Sequence, residues 1–329
     1  MGDSPLDVLA IGNALVDVLA TVSDQELAAL GIAKHSYELI DEEGAERLYA
    51  AMPPAVEISG GAAANTAVGV VSLGGSTAYI GKVRADQLGE VFIHDLRATG
   101  VRFETPPARS GQPTGRALTF VTPDAHRTFR TFLGAANELG PADVDEALVA
   151  AAEVTYLEGF LWGPPNAKEA LRKAMQLAHG AGRRVSLTFS DPLWVRNWGH
   201  EFADLLEKGE IDVLFANEAE LLTLYPGSLD AAVDHLRQVC PLAAVTRSEH
   251  GSLVVAGDET HEVAAAHVDE VVDTTGAGDL YAAGFLYGLT HGADLARCGE
   301  LGSLCAAEVI SHVGARPQQR LAELVAERP

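Results

Sequence analysis

Residues 271–285 of the chain read VVDTTGAGDLYAAGF. The two valines predict the end of a strand, and the apolar run after Asp279 predicts a helix. Gly276 and Gly278 fall where that helix begins, and there unpaired backbone N–H groups and the positive end of the helix dipole attract anions. Glycine also lets a phosphate approach the backbone closely. The run therefore predicts a strand, an anion-binding loop and a helix in succession.

Asp279 is the unusual residue of this loop, because a carboxylate in the first turn would repel a phosphate that was merely stored there. A carboxylate beside a phosphoryl group is useful when it orients and deprotonates an attacking hydroxyl. The alternative is that Asp273 and Asp279 only cap the helix. The loop sequence alone leaves both interpretations open.

The seven residues from Asp273 to Asp279 resemble the C-terminal signature of the ribokinase-like (PfkB) family of sugar and nucleoside kinases. The resemblance implies an α/β fold with a doubly wound, mostly parallel sheet flanked by helices, and a small β-sheet lid. It also implies that Asp279 is the catalytic base. The loop residues Gly276, Ala277 and Gly278 would then hold the transferring phosphoryl group through their amides.

A second glycine-rich run, ISGGAAANTAVG, covers residues 58–69. Paired glycines before a helix of small residues allow close approach to the backbone, although a tightly packed helix would explain them equally. Gly60, Gly61 and Asn65 match the N-terminal signature of the same family. The resemblance implies that they contact sugar hydroxyls, for which an amide side chain offers both a donor and an acceptor.

The first predicted strand is short and apolar, covers residues 6–12, and ends at Gly12. Asn13 and Asp17 follow the carboxyl end of this strand, where open α/β sheets bind ligands, but two polar residues four apart can also close a turn. By resemblance, Asp17 holds two hydroxyls of a sugar and Asn13 belongs to the same substrate site. A dinucleotide-binding oxidoreductase is disfavoured because the strand is not followed by Gly-x-Gly-x-x-Gly.

Residues 114–121 and 128–133 predict two strands around a turn and interrupt the alternation of strand and helix. The resemblance implies that residues 14–41 and 101–133 form the small β lid, whereas residues 1–13, 42–100 and 134–329 form the large domain. Arg127 stands near the turn. It is either a solvated surface arginine or, as the resemblance to nucleoside kinases implies, an arginine directed at the transferring phosphoryl group.

Beyond residue 140 the predicted helices and strands alternate as in a doubly wound sheet. Helices are expected at 141–152, 165–180 and 199–208, with strands at 153–158, 183–189 and 211–216. Phe160 follows one of these strands at the expected ligand crevice. It is a core residue or, by resemblance to adenosine kinases, an aromatic that stacks on the base.

Asn217 and Glu220 have the spacing of a helix capping box. The family carries Asn-x-x-Glu here, and the resemblance implies that Glu220 organises Mg²⁺ through water beside the phosphates of ATP. A monovalent cation such as K⁺ is a further candidate cofactor. The residues implied for ATP binding come from several strand ends and loops: Asn217, Thr246, Ser248, Gly251, Thr275, Gly276, Gly278 and His312.

The composition of the chain restricts its possible class, partners and location. The chain has 329 residues, 47% of them hydrophobic and 21% charged, which suits a packed core. Its net charge of −23 disfavours nucleic acid and anionic membranes as partners. No apolar run of membrane-spanning length and no N-terminal signal peptide appear, so the cytoplasm is the expected location. Three irregularly spaced cysteines argue against a disulfide framework, and a monomer and a homodimer both remain open.

Together these features predict an ATP-dependent kinase that acts on a primary hydroxyl. No Walker A sequence is present, because the pair Gly81-Lys82 is followed by Val83. The runs LGAAN at 133–137, LEGF at 157–160 and ANEAE at 216–220 resemble bacterial adenosine kinases, which implies a nucleoside acceptor, adenosine first. A ribose- or fructose-type sugar kinase is the alternative, followed by a nucleoside-binding protein without catalysis.

Overall fold

The computed structural model describes residues 5–34, 36–124 and 127–326. In chain order, the strands of these residues are β1 Leu6–Ile11, β2 Leu15–Thr21, β3 Tyr37–Leu39, β4 Val56–Gly60, β5 Thr77–Ile80, β6 Arg102–Phe103, β7 Gly115–Val121, β8 Arg127–Phe132, β9 Ala152–Glu158, β10 Arg184–Thr188, β11 Val213–Asn217, β12 Leu242–Thr246, β13 Ser252–Ala256 and β14 Glu259–Val263. The helices are α1 Asp24–Ala29, α2 Glu42–Ala51, α3 Ala62–Ser72, α4 Gln87–Ala98, α5 Glu146–Ala151, α6 Pro165–Gly180, α7 Pro192–Glu207, α8 Glu218–Leu224, α9 Leu229–Val239, α10 Ala277–Thr290, α11 Leu295–Ile310 and α12 Leu321–Ala326.

The larger sheet has the strand order β14-β13-β12-β11-β10-β9-β1-β5-β6. The strands from β12 to β6 in this order pair in parallel, and β13 and β14 add an antiparallel edge. Starting from β1, the chain first adds β5 and β6 on one side and then β9 to β14 on the other. The order reverses between β1 and β9, and open α/β sheets bind ligands at such a reversal, beyond the carboxyl ends of the strands. The expected doubly wound sheet is confirmed.

Helices cover both faces of this sheet because alternate residues of its strands point to opposite sides. In β1, Val8 and Ala10 pack into one hydrophobic cluster, which also contains residues of α3, α4, α10 and α11. Leu9 and Ile11 pack into the other, with residues of α5, α6, α7, α8 and α9. None of the helices in the described residues is long and apolar enough to cross a membrane.

The smaller sheet has the order β3-β8-β7-β2-β4. Two strands do not lie in the sheet to which the predicted boundaries of the large domain and the lid assign them. Strand β4, within residues 42–100, pairs with β2 of the smaller sheet, and β6, within residues 101–133, pairs with β5 of the larger one. With these two changes, the division of the chain into a large domain and a lid remains our proposal.

Some element predictions were wrong in detail. Val271 and Val272 are not in a strand, because the amides of Val272 and Asp273 both donate to the carbonyl of Ile310 at the end of α11. The helix predicted at 199–208 begins at Pro192, because Asp191 caps its first turn. The helix predicted at 141–152 is a 3₁₀ turn, Pro141–Asp143, followed by the short α5.

Candidate active site

The amino end of α10 carries the glycine-rich loop. Gly276 has φ +81°, and a Cβ atom there would lie 2.8 Å from Cβ of Ala315, so both its conformation and its surroundings require glycine. The amide of Leu280 donates to the carbonyl of Gly276, whereas the amides of Gly278 and Asp279 precede this helical bond. Gly278 is exposed, and no atom lies within 4 Å of the place its Cβ would take. The loop thus presents open space before a helix N-terminus.

The amide of Ala277 differs from the expectation. It donates to the carbonyl of Thr274 at 3.2 Å and closes a turn, so in this structure it is not directed at a ligand. The donors that remain for an anion at this terminus are the amides of Gly278 and Asp279.

Asp279 does not cap α10, since the capping position is Gly276 and no side chain bonds there. Its Oδ2 instead accepts a hydrogen bond from Nδ2 of Asn65 at 2.9 Å, and its carbonyl accepts one from the Thr66 hydroxyl. Burial raises the pKa of Asp279 to about 6, against the lowering effects of the Asn65 hydrogen bond and the charge of Arg316. The side chain is therefore held in place with its pKa raised toward neutral pH, and its role as a base stays a prediction.

Asp273 shapes the loop. Its Oδ1 accepts hydrogen bonds from the amide and hydroxyl of Thr275, and its Oδ2 accepts one from the amide of Gly314. The same oxygen lies 2.6 Å from Nη2 of Arg127, and the side chains of this ion pair are 5% and 8% exposed, respectively. Arg127 is therefore not a solvated surface residue, because it joins strand β8 of the smaller sheet to the loop before α10. Its predicted contact with a phosphoryl group stays a prediction.

Asp17 lies on β2, opposite Ile58 of β4. A Cβ atom on Gly60 would overlap the Asp17 carboxylate, so the glycine leaves the room that this side chain occupies. Burial raises the pKa of Asp17 to about 6, while the charges of Arg316 and Arg127 oppose the rise. Gly61 has φ +97°, and a side chain there would overlap the carbonyl of Asn13. Both glycines of the N-terminal signature are therefore required by the close packing around Asn13 and Asp17.

Glu158, at the carboxyl end of β9, holds Asn13 in place. Its Oε1 accepts a hydrogen bond from Nδ2 of Asn13 at 2.8 Å, and its Oε2 accepts the amides of Asn13 and Ala63. The side chain is 1% exposed, and this burial raises its pKa to about 7. Among the described residues, Oδ1 of Asn13 and Oδ1 of Asn65 are buried acceptors without a hydrogen-bond partner. Such atoms suit the hydroxyl donors of a bound sugar.

Arg316 also belongs to this site, although the sequence did not indicate it. Its Nη1 donates to the carbonyl of Ala64 at 3.2 Å, and its Nη2 donates to the carbonyl and hydroxyl of Ser59 at 2.8 and 3.1 Å. The one available signal was a cationic residue in the run GARP, residues 314–317, directly after a loop of small residues.

Phe160 lies in a 3₁₀ turn after β9, half-buried, and its ring meets that of Trp194 edge-on at 5.0 Å between centroids. The indole of Trp194 donates to the carbonyl of Phe160 at 3.1 Å. The two aromatic residues therefore form one unit at the carboxyl edge of the large sheet. Whether Phe160 stacks on a base is a prediction that this contact neither requires nor excludes.

Asn217 and Glu220 form the predicted capping box at the start of α8. The two Glu220 oxygens accept hydrogen bonds from the amide and the side chain of Asn217. Glu220 is 4% exposed, and burial raises its pKa to about 7. Within the described part of the chain, no group of three or more His, Cys, Asp or Glu residues could hold a metal directly. The predicted contact of Glu220 with Mg²⁺ through water stays a prediction.

Of the other residues predicted for ATP, Thr246 is the last residue of β12, Ser248 and Gly251 lie in the turn after this strand, and His312 follows α11. Ser248 and Gly251 both have positive φ, and the hairpin there leaves no room for a side chain at Gly251 beside Val263. The His312 ring lies 3.2 Å from Glu308. A cavity of about 350 Å³ opens nearby, lined by Val272, Glu308 and Ser311 among others, which are neighbours of the predicted residues rather than those residues themselves.

Comparison with known proteins agrees with this geometry. The model of the pfkB family carbohydrate kinases matches residues 24–320. An adenosine kinase of Saccharomyces cerevisiae is 31% identical over 337 residues, which cover 94% of this chain and 96% of that protein. The crystal structure of an adenosine kinase from Sinorhizobium meliloti is 50% identical, with a TM-score of 0.92 over 99% of this chain and 100% of that one. The structure of a probable sugar kinase from Rhizobium etli CFN 42 is 48% identical, also with a TM-score of 0.92, over 99% of each chain.

Proposed function

This chain belongs to the pfkB family of carbohydrate kinases and is a phosphotransferase with an alcohol group as acceptor, and we propose that its acceptor is the 5′-hydroxyl of a nucleoside, adenosine first. The adenosine kinases from Saccharomyces cerevisiae and Sinorhizobium meliloti support this choice. The observation that carries it is the hydrogen bond between Asn65 and Asp279, which joins the two signature regions in one site.

In the proposed reaction, the Asp279 carboxylate takes the proton of the acceptor hydroxyl. The hydroxyl oxygen then forms a bond to the γ-phosphorus of ATP while the bond to the β–γ bridging oxygen breaks, and ADP leaves. The amides of Gly278 and Asp279 would donate hydrogen bonds to the phosphoryl oxygens that gain charge. Mg²⁺ bound with ATP would neutralise the triphosphate, and Glu220 would hold it through water. A role for K⁺ is part of the proposal without an assigned site.

The acceptor would lie at the strand-order reversal. The unpartnered Oδ1 atoms of Asn13 and Asn65 would accept hydrogen bonds from its hydroxyls, and Asp17 would bind the adjacent 2′- and 3′-hydroxyls with charge-assisted hydrogen bonds. Phe160, supported by Trp194, supplies the aromatic surface for a base. Closing the smaller sheet over the site would exclude water, which competes with the acceptor hydroxyl.

A sugar kinase is the second candidate, because the Rhizobium etli protein, described as a probable sugar kinase, is as similar in fold as the adenosine kinase. ADP release should be measured with ATP and Mg²⁺, with and without K⁺, over a panel of ribonucleosides, 2′-deoxynucleosides, ribose and fructose. We expect the highest kcat/KM with adenosine. Faster turnover of a free sugar would select the second candidate. A failure of every acceptor in the panel to support ADP release would contradict both.

A further inference from the structure

We propose that Arg316 is a positioning residue of the acceptor site: its guanidinium fixes the glycine turn that lines the site and supplies a permanent positive charge that acts on Asp17 and Asp279. The inference rests on the proposed function in one respect, since it assigns Asp279 the role of base. It concerns a residue of the C-terminal segment that neither signature region contains.

The contacts of Arg316 fix the orientation of its guanidinium. Nη1 and Nη2 donate to the carbonyls of Ala64 and Ser59, which lie in the first turn of α3 and at the end of β4. Ser59 is itself held, because Oδ2 of Asp95 accepts hydrogen bonds from its amide at 2.7 Å and from its hydroxyl at 2.6 Å. Arg316 is therefore the last member of a series of hydrogen bonds that runs from Asp95 on α4 through Ser59 on β4 to the C-terminal segment. It joins the strand before the Gly60–Gly61 turn to the helix after it.

Hydrogen bonds to carbonyls leave the charge of the guanidinium without a direct carboxylate partner, and Nε of Arg316 is buried without a hydrogen bond among the described residues. Burial lowers the pKa of Arg316, and four groups on four elements oppose this through their charges: Asp17 on β2, Asp95 on α4, Tyr79 on β5 and Asp279 on α10. An arginine stays protonated over the whole working range of pH. The permanent positive charge of Arg316 therefore acts on both Asp17 and Asp279.

The two carboxylates need such a charge. Burial disfavours the ionised form of each, and Asp17 raises the pKa of Asp279 further because the two negative charges repel each other. At both carboxyls, Arg316 is the charge that most strongly opposes the rise in pKa. Arg127 opposes the rise only at Asp17. Without Arg316, a protonated Asp279 could not accept the proton of the acceptor hydroxyl. The position therefore demands a charge, and a neutral side chain of similar size would not replace it.

The kinetic test compares Arg316→Met, which removes the charge, with Arg316→Lys, which keeps it but loses the fork of donors. Arg237→Met is the matched control, because Arg237 also donates to a backbone carbonyl, that of Asp258, and to a hydroxyl, that of Thr260. In Arg316→Met the acid limb of the kcat/KM profile should move to higher pH by about 1 unit or more, a loss of about tenfold or more on that limb. Arg316→Lys and Arg237→Met should keep the limb in the wild-type position. If kcat/KM of Arg316→Met fell equally at every pH, without movement of the acid limb, Arg316 would have only a structural role and the proposal would be overturned.

A second measurement does not require catalysis. In protein carrying aspartate labelled with 13C at the side-chain carboxyl, the resonances of Asp17 and Asp279 are identified by their loss in Asp17→Asn and Asp279→Asn. Both should titrate at higher pH in Arg316→Met than in the wild type. Equal titration in the two proteins would overturn the inference even if the kinase activity is as proposed, and a shifted titration would support it even if no acceptor is turned over. Should Arg316→Met fail to fold, Arg316→Gln keeps donors for Ser59 without the charge and replaces it.

Discussion

Asp17 is the residue on which recognition of the ribose should depend. Its half-buried carboxylate lies against Gly60 and within the fields of Arg316 and Arg127, so in the ionised form it can accept two hydrogen bonds from adjacent hydroxyls. Asp17→Ala should raise KM for adenosine strongly and leave 2′-deoxyadenosine with little further disadvantage. Steady-state kinetics with both substrates decide the point, and an unchanged preference for the ribonucleoside in Asp17→Ala would show that the carboxylate does not bind these hydroxyls.

Glu158 should matter for positioning rather than for chemistry. Glu158→Gln keeps its shape but puts a donor where the amides of Asn13 and Ala63 or the Asn13 side chain need an acceptor. We expect a loss of roughly 1–3 kcal/mol in the free energy of unfolding, because a buried donor is left unpaired. We also expect a higher KM for the acceptor. Urea denaturation and kinetics on the same sample test this, and unchanged values of both would show that Asn13 does not depend on Glu158.

The sequence indicated the residues that lie within its two compact signature runs, and the structure joins Asn65 of one run to Asp279 of the other. It did not indicate the roles of Glu158 and Arg316, because those roles depend on contacts between distant parts of the chain. Asn13 and Glu158 are 145 residues apart in sequence, and Arg316 and Ser59 are 257 residues apart. Neither spacing nor local composition contains that information.

At the scale of elements, the alternation of strand and helix predicted the large sheet because each βα unit is a local pattern. It was harder to predict which of the two sheets each short strand joins. Strand β4 precedes α3 directly, yet it pairs with β2 of the smaller sheet, and such pairing is decided by partners far along the chain. The two valines before Asp273 were predicted as a strand from their residue type, but the hydrogen bonds to Ile310 hold them in irregular backbone instead.

The contact between the smaller sheet and the loop before α10 leads to a prediction for Arg127. Its guanidinium pairs with Asp273 and lies 3.4 Å from the Thr275 hydroxyl, within the loop that would hold the phosphoryl group. If this charge acts on the transferring phosphoryl group, it would stabilise the transition state more than bound substrate, so Arg127→Ala should lower kcat more than it raises KM. Arg130→Ala is the matched control, because Arg130 contacts Glu38 of β3 in its own sheet and Ser36 just before that strand. With saturating ATP and Mg²⁺, an equal kcat for wild type and Arg127→Ala would contradict this role.

At the scale of the whole molecule, the buried carboxyls make stability depend on pH. In the folded state the pKa of Asp17 and of Asp279 is about 6, and that of Glu158 about 7, all raised by burial. The folded protein therefore keeps protons that the unfolded chain releases near pH 4. Because the folded state binds more protons, its free energy of unfolding should fall as pH rises from about 4 to about 7. These groups thus destabilise the protein at the pH where the proposed reaction needs them ionised.

Asp279→Asn isolates one part of this effect. It keeps an acceptor for the Asn65 amide and removes the buried charge, so at pH 8 it should be more stable than the wild type by on the order of 1–3 kcal/mol. The difference should nearly disappear at about pH 3 and below, where Asp279 is protonated in both the folded and the unfolded state. Urea denaturation at the two pH values measures it. A destabilisation of the same size at both would mean that the carboxylate is a net structural contact rather than a functional cost.

The same substitution tests the central claim, that Asp279 is the base which activates the acceptor hydroxyl. Asp279→Asn should bind adenosine with an affinity close to that of the wild type, because Asn13, Asp17 and Asn65 are unchanged. Its kcat with ATP and Mg²⁺ should fall by roughly 10²–10⁴-fold, the share of a general base. Calorimetric titration of adenosine and ADP release, both at pH 8 where the variant is expected to be stable, give the two numbers. Turnover by Asp279→Asn near the wild-type rate would contradict the assignment of this carboxylate as the base.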